Sequence, residues 1–215
     1  MPLDKPYGWS SFDAIRCVQR VIRKKTGEKP KIGHAGTLDP LATGLLLICI
    51  GKATKQAEAL QAEQKEYAAE ICFGATTASY DLETEPVPVP NAAAVSRGQL
   101  ELQLRSMLGE QLQAPPNFSA KQVNGQRAYT LARMGVEANV KRSQISIYAL
   151  ELQEFCYPYA KILIRCSKGT YIRSFASDLG NALKCGAYLC GLRRTANGNF
   201  TIAQSVSIEQ LSSIF

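Results

Sequence analysis

The stretch GHAGTLDPLATGLLLICI, Gly33 to Ile50, decides how the chain is read. Its first half holds three glycines, one proline, one carboxylate and the only histidine of the 215 residues. Its second half, Leu45 to Ile50, is apolar at every position, the pattern of a strand buried on both faces. Pro40 disfavours helical backbone at Asp39 and pushes it toward an extended conformation. A kinked loop anchored to rigid core would hold one carboxylate at the lip of a cleft. An aspartate before proline is also a common turn former, so the stretch alone leaves both readings open.

Working outward, Ser10 to Asp13 has the form of a capping box, and a helix is expected from about Ser11 to Lys25, stopped by Gly27. Ile15, Val18 and Ile22 would share its inner face. From Arg16 to Lys31 the chain carries Arg16, Arg20, Arg23, Lys24, Lys25, Lys29 and Lys31 against Glu28 alone. That local net charge of +6 is nearly the whole excess of +7. A basic stripe of this kind suits a polyanion, with nucleic acid first, although a solvated helix face shows the same pattern.

Further strands are expected at Tyr67 to Phe73, Ser143 to Leu150 and Lys161 to Cys166. Glu83 to Asn91 is a proline-rich extended connector, unsuited to a central strand. Helices are expected from about Ala92 to Leu108 and from Tyr171 to Leu183. Asn197-Gly198 marks a hairpin. Strands and helices do not alternate regularly. The expected fold is therefore α+β, one domain over residues 1–215, with a large, mixed, mostly antiparallel sheet flanked by helices and loops.

Several chemistries lack their signatures. No GxSxG, GxGxxG or P-loop pattern occurs. Seven scattered cysteines include no CxxC pair, and with one histidine a zinc site is unsupported, so reduced structural thiols and no metal are expected. The longest apolar run has six residues, far below a membrane span, and no signal core follows Met1. A cytoplasmic protein with no membrane association is the expectation.

GHAGTLDPLATGLL resembles the catalytic motif of the TruB family of tRNA pseudouridine synthases. Other stretches resemble the family's in the same order: LDKPYGWSS, KEYAAEICFGATTASYDLE around Tyr67 and Asp81, APPNFSAKQVNGQRAYTLAR, CSKGTYIRSFASDLG and GLRRT. Together they span residues 3 to 212. Gln122 stands where lysine is usual and Ala78 where an acid is frequent.

The resemblance implies a pseudouridine synthase fold and isomerisation of the tRNA T-loop uridine (position 55) without any cofactor. It implies Asp39 as nucleophile or base at the ribose, Arg173 as the guanidinium holding it ionised, and Tyr67 as the ring stacked on the target base. Tyr171 and Leu192 would line the pocket, and His34 would push into the T-loop. Lys5, Lys55 and the stripe of Arg16, Arg20, Arg23, Lys24 and Lys31 are the candidate RNA contacts. The expected partner is the tRNA T-arm, bound by a monomer with no obligatory protein partner. Many relatives continue into a PUA domain where this chain stops at Phe215, so a short form or a truncation is expected. Two rivals are a non-catalytic RNA-binding or RNA-folding protein on this fold, and the catalytic subunit of a guide-RNA-directed complex.

Overall fold

A computed structural model describes residues 1–116, 118, 119, 122, 123, 126, 127, 129 and 141–214. Much of the APPNFSAKQVNGQRAYTLAR stretch, including Lys121, lies outside the described residues. In chain order the main elements are β1 (Pro2–Lys5), α1 (Ser11–Thr26), β2 (Ile32–His34), β3 (Ala42–Ile50), a 3-10 turn (Gly51–Gln56), α2 (Ala57–Ala62) and β4 (Lys65–Phe73). Then come β5 (Ala75–Thr76), β6 (Val87–Pro88), α3 (Arg97–Ser106), β7 (Gly109–Gln113) and the short pair β8 (Gln122–Val123) and β9 (Gln126–Arg127). Next are β10 (Ser143–Cys156), β11 (Tyr159–Cys166), α4 (Ile172–Ala182), β12 (Ala187–Asn197), β13 (Phe200–Thr201) and α5 (Leu211–Ile214).

The main sheet runs β1-β3-β12-β4-β11-β10-β7, so the fold is α+β with a large mixed sheet, as expected. The chain divides into two compact units, residues 1–68 with 191–215, and residues 69–190.

In the first unit, Ser10 caps α1 by accepting from the Asp13 amide at 3.1 Å, while its own amide donates to Asp13 Oδ2 at 3.0 Å. Gly27 closes the helix with a bond to the Arg23 carbonyl. The buried face is Ser11, Ala14, Val18 and Ile22. Ile15 sits half-buried beside it, because the face turns toward Leu38, where the Ser11 hydroxyl docks.

Strand β3 is buried on both faces, with Leu45, Leu46, Leu47, Ile48 and Cys49 each at most 3% exposed. It starts at Ala42, three residues before its apolar run, because Ala42, Thr43 and Gly44 pair in parallel with Leu192, Arg193 and Arg194. On its other edge β1 pairs antiparallel, while β2 pairs antiparallel with Ile48–Ile50, farther along the edge that β12 uses. Alternation sends Leu45, Leu47 and Cys49 to one side, where they pack with Ala35, Leu60 and Phe200. The Asn-Gly hairpin closes as expected, with Asn197 opposite Phe200.

In the second unit β10 lies between β7 and β11, both antiparallel to it, with Ile145, Ile147, Ile162 and Ile164 buried. Strand β10 continues six residues beyond the expected end, paired as far as Cys156 with Tyr159. Helix α3 starts at Arg97 rather than Ala92, because Ser96 and Gln99 form a capping box that sets the start. Only Val87 and Pro88 of the proline-rich connector join a strand pair, opposite Ala75 and Thr76. Helix α4 is buried on most of its surface. No helix among the described residues is long and apolar enough to cross a membrane.

Candidate active site

The loop between β2 and β3 is fastened at nearly every residue. The Ala35 amide donates to the Leu47 carbonyl at 2.9 Å, and Asn197 Nδ2 donates to the Ala35 carbonyl at 3.3 Å. Arg194 donates from Nη2 to the Gly36 carbonyl at 3.0 Å, from Nη1 to Thr37 at 3.4 Å and from Nε to Leu45 at 2.7 Å. Ser11 Oγ accepts from the Leu38 amide at 2.9 Å and donates to the Leu38 carbonyl at 3.1 Å. The Gly8 amide and the Lys5 ammonium both reach the Pro40 carbonyl.

Asp39 sits half-buried in the middle of this web. Its carbonyl accepts from the Ala42 amide at 3.1 Å, so it opens a turn with Pro40 in the next position. The turn-former reading of the residue therefore holds locally. Asp39 is a turn former, and the turn delivers its carboxylate from a fixed backbone. Leu192 on β12, the register partner of Ala42 on β3, lies beside the end of that turn. Tyr67 is on β4, 8% exposed.

Lys5 corrects an expectation. It is fully buried, and its ammonium donates to the carbonyls of Pro6 at 2.9 Å, Trp9 at 2.6 Å and Pro40 at 3.5 Å. A side chain so placed secures the loop and does not reach a phosphate in solvent. Burial pushes its pKa down to about 8, the charge of Asp39 pulls it up, and that of Arg194 pushes it down again.

His34 ends β2, half-buried, and its Nδ1 is buried without a hydrogen-bond partner among the described residues. Burial first, and then the Arg194 charge, lower its pKa. The imidazole is therefore held toward its neutral form. Lys55 is exposed on the 3-10 turn, and Arg16, Arg20, Arg23, Lys24 and Lys31 are all exposed. Arg16 stands 5.9 Å from the centre of the Phe12 ring.

In the second unit, Arg173 is 5% exposed in the first turn of α4, with Nε 3.6 Å from Asp81 Oδ2 and Nη1 3.4 Å from the Ser79 carbonyl. Asp81 also caps its own loop by accepting from the Glu83 amide at 2.9 Å. Tyr171 is the N-cap residue of α4, its amide and carbonyl both clamped by the Gln113 side chain. Ala78, at the position where an acid is frequent, is exposed between buried Thr77 and Ser79.

The profile of the TruB family pseudouridylate synthase N-terminal domain matches residues 23–172, and that of the tRNA pseudouridylate synthase B C-terminal domain matches residues 173–215. The chain belongs to the TruB family. A TruB relative from Bacteroides fragilis, named tRNA pseudouridine synthase B, is 47% identical over 202 residues, covering 94% of this chain and 87% of the relative. One of the same name from Clostridium kluyveri is 42% identical over 211 residues, covering 98% and 71%. Among solved structures, a Cbf5-Nop10-Gar1 complex aligns with a TM-score of 0.76 at 25% identity over 99% of this chain. The archaeal box H/ACA Nop10-Cbf5 complex aligns with a TM-score of 0.72 at 24% identity, which speaks to fold alone. The TruB chain spans about half the length of these structural neighbours, 53% and 52%.

Sequence reasoning passed over two residues that this TruB chain uses at the loop, Arg194 and Asn197. A signal for the first was present. In an apolar strand two consecutive arginines must face opposite sides, so one of them has to turn inward.

Proposed function

We propose that this chain isomerises uridine to pseudouridine in the T-loop of tRNA, acting alone on the T-arm. Membership of the TruB family supports the reaction class. The observation that carries it to particular residues is Asp39, held in a loop whose backbone is fixed on both sides by buried donors. The reaction breaks the N1–C1′ bond, turns the uracil and joins C5 to C1′. C5 then gives up its proton and N1 gains one, so atoms balance with no cofactor.

Asp39 is the acting carboxylate in this reading, as nucleophile or as base at the ribose. Tyr67 gives the uracil a flat apolar face, Leu192 and Tyr171 pack about it, and Arg173 keeps carboxylate charge in place. Drawing the base from its stack costs a few kcal/mol, which an inserted His34 ring partly replaces. Lys55 and the α1 stripe position the RNA backbone.

The test uses purified protein and a naked T-arm hairpin, with no guide RNA or other protein, and maps pseudouridine. Modification by wild type and none by Asp39→Asn is the expected result. Equal modification by both removes Asp39 from the mechanism. Modification only with added guide RNA moves the chain to the guided class.

A further inference from the structure

The two glycines of the Asp39 loop with left-handed backbone both face Arg194. Gly44 has φ +99°, and a Cβ there would meet the Arg194 carbonyl oxygen at 2.4 Å and its amide nitrogen at 2.8 Å. Gly36 has φ +95°, and its Cβ would lie 3.6 Å from Arg194 Nη1. Gly44 is also the register partner of Lys5 on β1 and of Arg194 on β12. Lys5, Gly44 and Arg194 thus form one row across three strands, with a buried cation at each end and a glycine thin enough to let them close.

Arg193 and Arg194 divide the strand's two faces between them. Arg193 spends its charge on a two-point pair with Asp4, at 2.6 and 3.1 Å. Arg194, 1% exposed, donates to three main-chain carbonyls. Packing alone does not call for such a residue, since an apolar side chain of similar size is often as stable in a buried cation's place. What a guanidinium adds is a rigid planar fork of donors. Here the fork braces Gly36, Thr37 and Leu45 from one point, on either side of Asp39.

We propose that Arg194 is a positioning residue for the reaction: by tying the backbone before and after Asp39, it holds that carboxylate and His34 in fixed registry. The proposal rests on the functional reading above. Its charge reaches the same groups, lowering the affinity of both His34 and Lys5 for a proton.

Two variants separate the fork from the charge. Arg194→Lys keeps the charge without the planar fork, and Arg194→Met keeps bulk alone. Melting, affinity for a T-arm hairpin and single-turnover pseudouridine formation are measured for both. Folded variants with affinity within about threefold of wild type and rates down about tenfold to a hundredfold are expected, the loss that a displacement near 1 Å brings.

His34 is the only histidine, so its ring resonances report the loop without any assay of activity. Its titration midpoint should rise in Arg194→Met and stay nearer wild type in Arg194→Lys. Loss of the Arg194 charge by itself moves that midpoint, so position is read in Arg194→Lys, where the charge is kept: a displaced loop moves the His34 ring resonances at a pH where the ring is neutral, and a role in folding alone leaves them at their wild-type shifts. Wild-type rates in both folded variants, or wild-type His34 ring shifts in folded Arg194→Lys, overturn the proposal.

If both variants unfold, Gly36→Ala displaces the carbonyl that Nη2 holds. A slowed reaction then supports the proposal and a wild-type rate overturns it. Should wild type itself leave the hairpin unmodified, the functional reading fails, and the His34 ring still decides whether Arg194 positions the loop.

Discussion

Arg173 Nε lies 3.6 Å from Asp81 Oδ2, and neither side chain is more than 8% exposed. The two residues are far apart in sequence, one in a loop after β5 and one in the first turn of α4. Breaking a buried pair takes a charged partner from the surviving group, which costs more than the pair contributes. Asp81→Ala, which also loses the bond from the Glu83 amide, should therefore lower stability by about 2 kcal/mol or more. Urea unfolding against wild type measures it, and a change below about 0.5 kcal/mol would show that Arg173 is satisfied without Asp81.

Gly44→Ala should be among the most damaging single-methyl changes in the chain. The added carbon meets main-chain atoms of Arg194, which cannot swing aside, and the backbone there has φ +99°. Strain and overpacking together predict a loss of about 3 kcal/mol. Thermal melting of Gly44→Ala beside Gly33→Ala, where a Cβ meets nothing within 4 Å among the described residues, reads the difference.

The neighbouring pair should be mild by contrast. Arg193 and Asp4 have side chains 43% and 31% exposed, so water screens their attraction. Asp4→Asn is expected to cost less than about 1 kcal/mol in a chemical melt at moderate salt.

Lys5 sets a stability trend at alkaline pH. Its folded pKa of about 8 lies below the ordinary lysine value of 10.5, chiefly through burial. Between those two values the unfolded chain binds more protons than the folded one, so this residue's contribution favours folding increasingly as pH rises from 8 toward 10.5. The stability of wild type relative to Lys5→Met should accordingly increase across that window. A flat difference would mean that Lys5 titrates normally in the fold.

The α1 stripe predicts salt-sensitive RNA binding. Each exposed cation on a phosphate releases counterions, so Arg20→Ala should reduce the slope of log affinity against log salt by about one. Binding of a T-arm hairpin across a salt series tests this. An unchanged slope would take Arg20 off the RNA.

Much of the scaffold was legible without coordinates because it depends on neighbours in sequence. Ser10 and Asp13 cap α1 within one turn, the unbroken run Leu45 to Ile50 demands burial on both sides, and Asn197-Gly198 closes a hairpin. Helix α3 shows the limit of that approach. The alanines from Ala92 favour helix, yet the capping box at Ser96 and Gln99 sets the start.

The local chemistry of Asp39, a carboxylate before proline in a glycine-rich turn, was in the sequence from the outset. The fates of the cations around it were not. Lys5 looks like a surface lysine and is buried, while Arg193 and Arg194 look alike and do opposite things. Those outcomes depend on which strands flank β3 and in what register, since burial and hydrogen bonding follow from atoms brought together across the sheet. Short-range preferences along a chain carry no record of that pairing, so only the tertiary structure decided which charges support the loop and which meet solvent.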